Sequence, residues 1–178
     1  MTMTPLSASI ATVIGSDSQA IQSLFKAQVK EWRSEGVNVV GLIGEAHALP
    51  DRSCAAGFLR DLASEARFSM YLETPPSDTS CHLDGSGVDT ACMALLGQIE
   101  ASDVVVLSKF GKLEGMGRGL RPAFEAAASA GKPILTTVSE KHRDAWAEFA
   151  GGTTMIPDNP AAIRAWWAGL KAGNPAVA

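Results

Sequence analysis

The amino-acid sequence predicts an α/β fold, a mostly parallel sheet flanked by helices in three layers. Two observations carry that expectation. Four short apolar runs, Ser9–Ile14, Val37–Ile43, Val104–Leu107 and Ile134–Val138, are continuous rather than alternating, as expected of strands covered on both faces. Between and after them come stretches of helical periodicity, and strand–helix alternation at this pitch builds β-α-β units with right-handed crossovers.

In chain order, Ile21, Leu24, Phe25, Val29 and Trp32 make one helical stripe that Gly36 ends. A possible strand at Phe68–Leu72 follows the second run. Val88, Cys92, Leu95 and Ile99 form a second stripe, and Leu120, Phe124 and the alanines up to Ala130 a third, closed by Gly131 and Pro133. Ala145, Trp146 and Phe149 form a fourth, broken at Gly151-Gly152, and Ile163, Trp166, Trp167 and Leu170 a last one that starts near Pro160. Glu45–Cys54 and Glu73–Gly87 read as irregular segments. Residues 1–172 are expected to form a single domain and 173–178 a flexible tail.

With 178 residues the chain suffices for one domain and is too short for two full-sized ones. Fifteen basic against nineteen acidic side chains, a net charge of −4, argue against a general nucleic-acid binder. No apolar run approaches the ~20 residues that span a bilayer, and Met1–Pro5 lacks a basic leader. Cys54, Cys81 and Cys92 show no C-x-x-C spacing. A cytoplasmic protein with neither membrane nor nucleic acid as partner is expected. Trp166 and Trp167 read as packing residues, at an oligomer interface if the chain is a homo-oligomer.

The first strand runs into Gly15-Ser16-Asp17-Ser18, where a phosphate loop would need G-x-x-x-x-G-K-[ST]. Only Gly15 meets that pattern, so the loop is a weak functional signal and Ser16 or Asp17 reads rather as a helix cap. The richer segment leaves the third run at Ser108. Gly111, Gly115, Gly117 and Gly119 let backbone amides approach a ligand, Lys109, Lys112, Arg118 and Arg121 surround them, and a helix begins behind. Ser139, Lys141 and His142 follow the next run, at the same sheet edge if the strands are parallel. Together with Ser16 and Ser18 these residues predict an anion site; the alternative is a solvated loop with scattered charge. A hydrolysing nucleotidase usually has an acid for magnesium at the end of the third run, and Ser108-Lys109 stands there instead. Cys81, His82 and Asp84, with His47 earlier, form a candidate metal set, although paired ligands at helical spacing are missing.

The segments Asp103–Glu114, Gly117–Arg121, Gly131–Leu135 and Trp146–Gly151, with Gly36–Gly41 and Cys81–Asp84, resemble domain-of-unknown-function family 2478. The resemblance implies a P-loop-NTPase-like or Rossmann-like three-layer sandwich with degenerate Walker motifs, and a link to molybdate or tungstate handling. Its members are often described as related to molybdenum-transporter ATP-binding proteins. Two function classes follow. One is binding or storage of an inorganic oxyanion, molybdate or tungstate, as an oxometalate cluster if subunits share it, without hydrolysis. The other is a degenerate nucleoside triphosphatase or nucleotide-binding regulator that takes nucleotide with magnesium and uses Lys109 or Lys112 in place of the Walker lysine. A partner-binding module without a small ligand is a third reading.

Overall fold

The structure, a computed structural model, describes residues 9–45, 57–69 and 85–173. Its strands are β1 (Ile10–Ile14), β2 (Val39–Glu45), β3 (Phe58–Asp61), β4 (Arg67–Ser69), β5 (Val104–Leu107), β6 (Ile134–Thr137) and β7 (Thr154–Pro157). The helices are α1 (Ser18–Ser34), α2 (Gly85–Leu96), α3 (Lys112–Gly115), α4 (Arg121–Ser129), α5 (Arg143–Ala150) and α6 (Pro160–Gly173). All seven strands join one sheet in the order β4-β3-β2-β5-β6-β1-β7. From β2 to β7 every pairing is parallel, while β3 pairs antiparallel with both β2 and β4.

Residue alternation along the central strands sorts the helices into two layers. Val105 and Leu107 join Val40, Leu42 and Ile134 on the face covered by α2, α4 and α5, through Val88, Cys92, Leu95, Phe124, Trp146 and Phe149. Val104 and Val106 join Val13, Val39 and Leu135 on the other face, under Ile21, Phe25, Val29 and Trp32 of α1 and Ile163 and Trp166 of α6. The continuous apolar runs are therefore strands buried from both sides, as their composition requires. Four aromatic rings, Phe110, Phe124, Trp146 and Phe149, fill the first layer beside the strand ends, with ring centroids 5.0–6.2 Å apart. The Trp146 indole also donates to Thr12 Oγ1 at 3.0 Å, which ties α5 to β1.

Three elements differ from expectation. The further strand, β4, is confined to Arg67–Ser69 within the described residues and forms one edge of the sheet; β3, between β4 and β2, and β7, at the other edge, are additional strands. β7 is mostly exposed and ends in Pro157, which suits an edge position because proline cannot donate to a ladder. Asp61 shapes the β3–β4 turn, accepting the Ala63 and Ser64 amides at 3.0 Å and the Gln98 side chain at 2.9 Å.

Gly41 sets the spacing between β2 and β5. It has φ +144°, and a Cβ built there would lie 1.8 Å from the Val106 carbonyl oxygen, a clash with backbone in the sheet centre. Gly41→Ala is accordingly expected to lower the unfolding free energy in urea by at least about 2 kcal/mol. Gly97→Ala, where a new Cβ meets nothing within 4 Å, should stay within roughly 1 kcal/mol of the parent protein.

Candidate functional site

The layer assignment locates a crevice. β1 feeds α1 on one face and its neighbour β6 feeds α5 on the other, so the chain departs in opposite directions at the carboxyl ends of these two adjacent strands. Such a switch point is where open α/β sheets hold ligands. The loops at this edge are Gly15–Asp17 after β1, Ser108–Leu120 after β5, Val138–His142 after β6 and Asp158-Asn159 after β7. The predicted convergence of the first three loops on one edge is what the strand order produces.

The β1 loop does not form a phosphate cradle. Asp17 is the N-cap of α1, its carboxylate accepting the Ala20 amide at 3.0 Å. Asp158 lies so close to Gly15 that a Cβ there would be 2.4 Å from the Asp158 carboxylate. Ser16 and Ser18 thus stand beside two acids, with no lysine in the loop, and this composition does not fit a triphosphate. Behind the loop, Gln22 of α1 donates to the Ser108 carbonyl at 2.7 Å and accepts the Gly44 amide at 2.8 Å, bridging the ends of β5 and β2.

The glycine-rich segment is organised by Glu114, a buried carboxylate. One oxygen accepts the Gly111 amide and the other the Leu120 amide, each at 2.8 Å. Leu120 is the N-cap of α4, so the protein's own acid covers the start of that helix. Burial pushes the Glu114 carboxyl above the ordinary carboxylate range, while the two amides and the Lys109 charge pull it back. Asp89 of α2 grips the same segment from outside, accepting the Gly119 amide and the Arg118 guanidinium, both at 2.9 Å. Gly119 sits at φ +63°, and a Cβ there would fall 2.0 Å from a Glu114 carboxylate oxygen.

These contacts correct the expected use of the glycines. The amides of Gly111, Gly115, Gly117 and Gly119 all have partners inside the protein, respectively Glu114, the Gly111 carbonyl, the Glu114 carbonyl and Asp89. The glycines shape the loop; their amides are not spare donors. Arg118 is paired with Asp89, and Arg121 with Glu125 at 3.2 Å while lying 4.5 Å over the Phe149 ring. Both arginines therefore serve the fold.

Lys109, Lys112 and Lys141 are different. They are exposed and make no ion pair or hydrogen bond among the described residues. The strand ends are held side by side by the Phe110 amide donating to the Thr137 carbonyl at 2.9 Å and by a parallel bridge from Phe110 to Val138. His142 is half-buried beside them, its Nδ1 2.9 Å from Ser139 Oγ. Burial first, then the charges of Lys141 and Lys109, hold its imidazole below the usual histidine value. Lys109 and Lys141, from different strands, thus act on one histidine.

The candidate metal residues His47, Cys81, His82 and Asp84 lie outside the described residues. Among the described residues no three His, Cys, Asp or Glu side chains are grouped to hold a metal. Burial raises the Cys92 thiol to about 11, so it stays protonated as a core residue. No helix among the described residues is long and apolar enough to cross a membrane.

Glu114, Asp89, Gln22 and Asp158 were not among the predicted site residues. Glu114 carried one legible signal, its place three residues after Gly111, which is capping-box spacing. If its carboxylate organises the segment, Glu114→Gln leaves one amide facing an NH2 group and should cost about 1–3 kcal/mol in urea unfolding. Glu125→Gln, at an exposed ion pair, should cost less than about 1 kcal/mol.

Comparison with known proteins adds a family and a fold. The chain is 34% identical over 132 residues to a protein of Bradyrhizobium diazoefficiens named "Molybdenum import ATP-binding protein ModC 2". That alignment covers 72% of this chain but 15% of the relative, so most of the relative has no counterpart here. The solution structure of a human cancer-related nucleoside triphosphatase superposes with a TM-score of 0.57 at 14% identity, over 94% of this chain and 98% of that one. The likeness is one of fold: the sheet and its helical layers are arranged as in that nucleoside triphosphatase structure. Residues 10–166 match the family described as "Protein of unknown function (DUF2478)", and the chain belongs to that family.

Proposed function

We propose that the protein is a degenerate P-loop NTPase, a nucleotide-binding regulator that holds phosphate groups over the ends of β5 and β6 and does not hydrolyse them. The observation that carries this reading is Lys109 and Lys141, which have no ion-pair partner among the described residues and both act on His142. Like charges clustered at one sheet edge favour an anion. Two features support loss of hydrolysis: the acids Asp17 and Asp158 where a phosphate loop would be, and Ser108 where a magnesium-holding acid is expected. The relative's printed name supports a link to molybdenum import.

A second reading is favoured by the β1 loop itself. With no cradle there, a compact tetrahedral anion such as molybdate or tungstate needs only the lysines and Ser139, and the protein would bind or store it, as a homo-oligomer if subunits share the anion. Thermal-shift and titration calorimetry panels with ATP, ATP plus magnesium, phosphate, sulfate, molybdate and tungstate separate the two. ATP at about a hundred times its dissociation constant should raise the melting temperature by roughly 5–10 °C, with or without magnesium. Lys109→Ala and Lys141→Ala should each weaken binding about tenfold. A shift with molybdate or tungstate alone selects the second reading. ATP binding that survives both substitutions removes the site altogether.

The histidine gives a pH test. An anion beside His142 raises its depressed pKa, so binding takes up a proton. Affinity should therefore climb as pH falls below the usual histidine value of about 6.5, toward the depressed value of the unliganded protein. His142→Gln should flatten this dependence. A flat profile in the parent protein would show that the anion lies elsewhere.

A further inference from the structure

A second concavity lies on the α1 face of the sheet, away from the crevice. Its volume is about 240 Å3, and it runs between α1 and the β2–β3 pair. The side chains follow from register. Ile43 lies opposite Arg60 across β2 and β3, and Glu45 follows Ile43 on the same side of its strand. On α1, Lys26, Val29, Lys30 and Arg33 recur every three or four residues and line the same wall. Arg33 donates to the Leu62 carbonyl and so fixes one end.

The concavity combines an apolar floor of Val29, Ile43 and Leu62 with an unbalanced charged rim. Arg60 and Glu45 neutralise each other, with Nε to Oε1 at 2.7 Å. Lys26, Lys30 and Arg33 remain against Glu65, an excess of two positive charges, and neither lysine side chain makes an ion pair or hydrogen bond among the described residues. The volume falls below the ~300 Å3 at which sites for drug-sized ligands begin. We propose that this cavity binds a small organic acid, its apolar body on Val29, Ile43 and Leu62 and its carboxylate between Lys26 and Lys30. The site is independent of the one at the ends of β5 and β6.

Phenylacetate is a suitable probe, followed by amide-resolved NMR titration of the full chain. The expected result is saturable perturbation of the amides of Lys26–Arg33, Ile43–Glu45 and Leu62. Phenylacetamide, which keeps the ring and loses the charge, should bind about five- to tenfold more weakly. Lys26→Gln, Lys30→Gln, a pair of changes at exposed helix positions, should reduce phenylacetate binding by a similar factor while leaving the rest of the spectrum in place. Acetate should leave these amides unperturbed at the same concentration. Equal binding of phenylacetamide, unchanged binding in the double variant, or perturbation confined to other residues would overturn the proposal.

Discussion

The loop that follows β5 depends on one buried carboxylate. Glu114 is taken from water and held by the Gly111 and Leu120 amides, and a buried acid without such donors would be far costlier. This pairing determines where α4 starts. Arg121, the first residue of α4, in turn lies over Phe149, part of the aromatic group that carries Phe110 and Trp146. The segment from strand end to helix is thus closed around its own anion, and Asp89 closes it a second time from α2. Because the amides point inward to these acids, the loop presents lysine side chains rather than amides at its surface.

The same substitution of internal acids for external ones recurs at β1. In a phosphate loop the helix N-terminus and lysine are left for the ligand. Here Asp17 takes the helix N-terminus and Asp158 crowds Gly15. Gln22 then uses both ends of its amide to lock β2 to β5 beneath the loop. The α/β architecture resembles that of a nucleoside triphosphatase while the loop after β1 is filled by the protein's own acids, so the fold by itself does not carry the reaction.

The buried half of this architecture was legible because burial leaves a compositional mark. Val104–Leu107 and Ile134–Thr137 can only be satisfied between two helical layers, and the helical stripes at Phe25 and Phe124 supply them. β3 and β7 carry no such mark: Phe58–Asp61 alternates between partly and fully buried positions and includes Arg60 and Asp61, and the edge strand Thr154–Pro157 is mostly exposed and ends in proline. The glycine-rich segment was found for the right composition and assigned the wrong donors. Glycine spacing shows that backbone can approach something, but not whether that something is a ligand or Glu114. The pairing of Arg118 with Asp89, 29 residues upstream, has no local signature, so sequence could not distinguish the committed arginines from the uncommitted lysines.

That distinction bears on what the crevice can recognise. Composition makes the chain acidic, with net charge −4, so a positive region cannot arise from bulk charge and must be assembled by topology. The parallel pairing of β5 with β6 puts Lys109 and Lys141 at neighbouring strand ends, where both, after burial, help to hold the His142 imidazole below its usual value. Arg118 and Arg121 add little to that field, since each is offset by a carboxylate. A folded chain that pairs these arginines yet leaves two lysine charges acting on one histidine carries an unfavourable local interaction. An anion over the strand ends would relieve it, and proton uptake by His142 would add to the attraction, so ligand charge and histidine protonation are coupled at this edge.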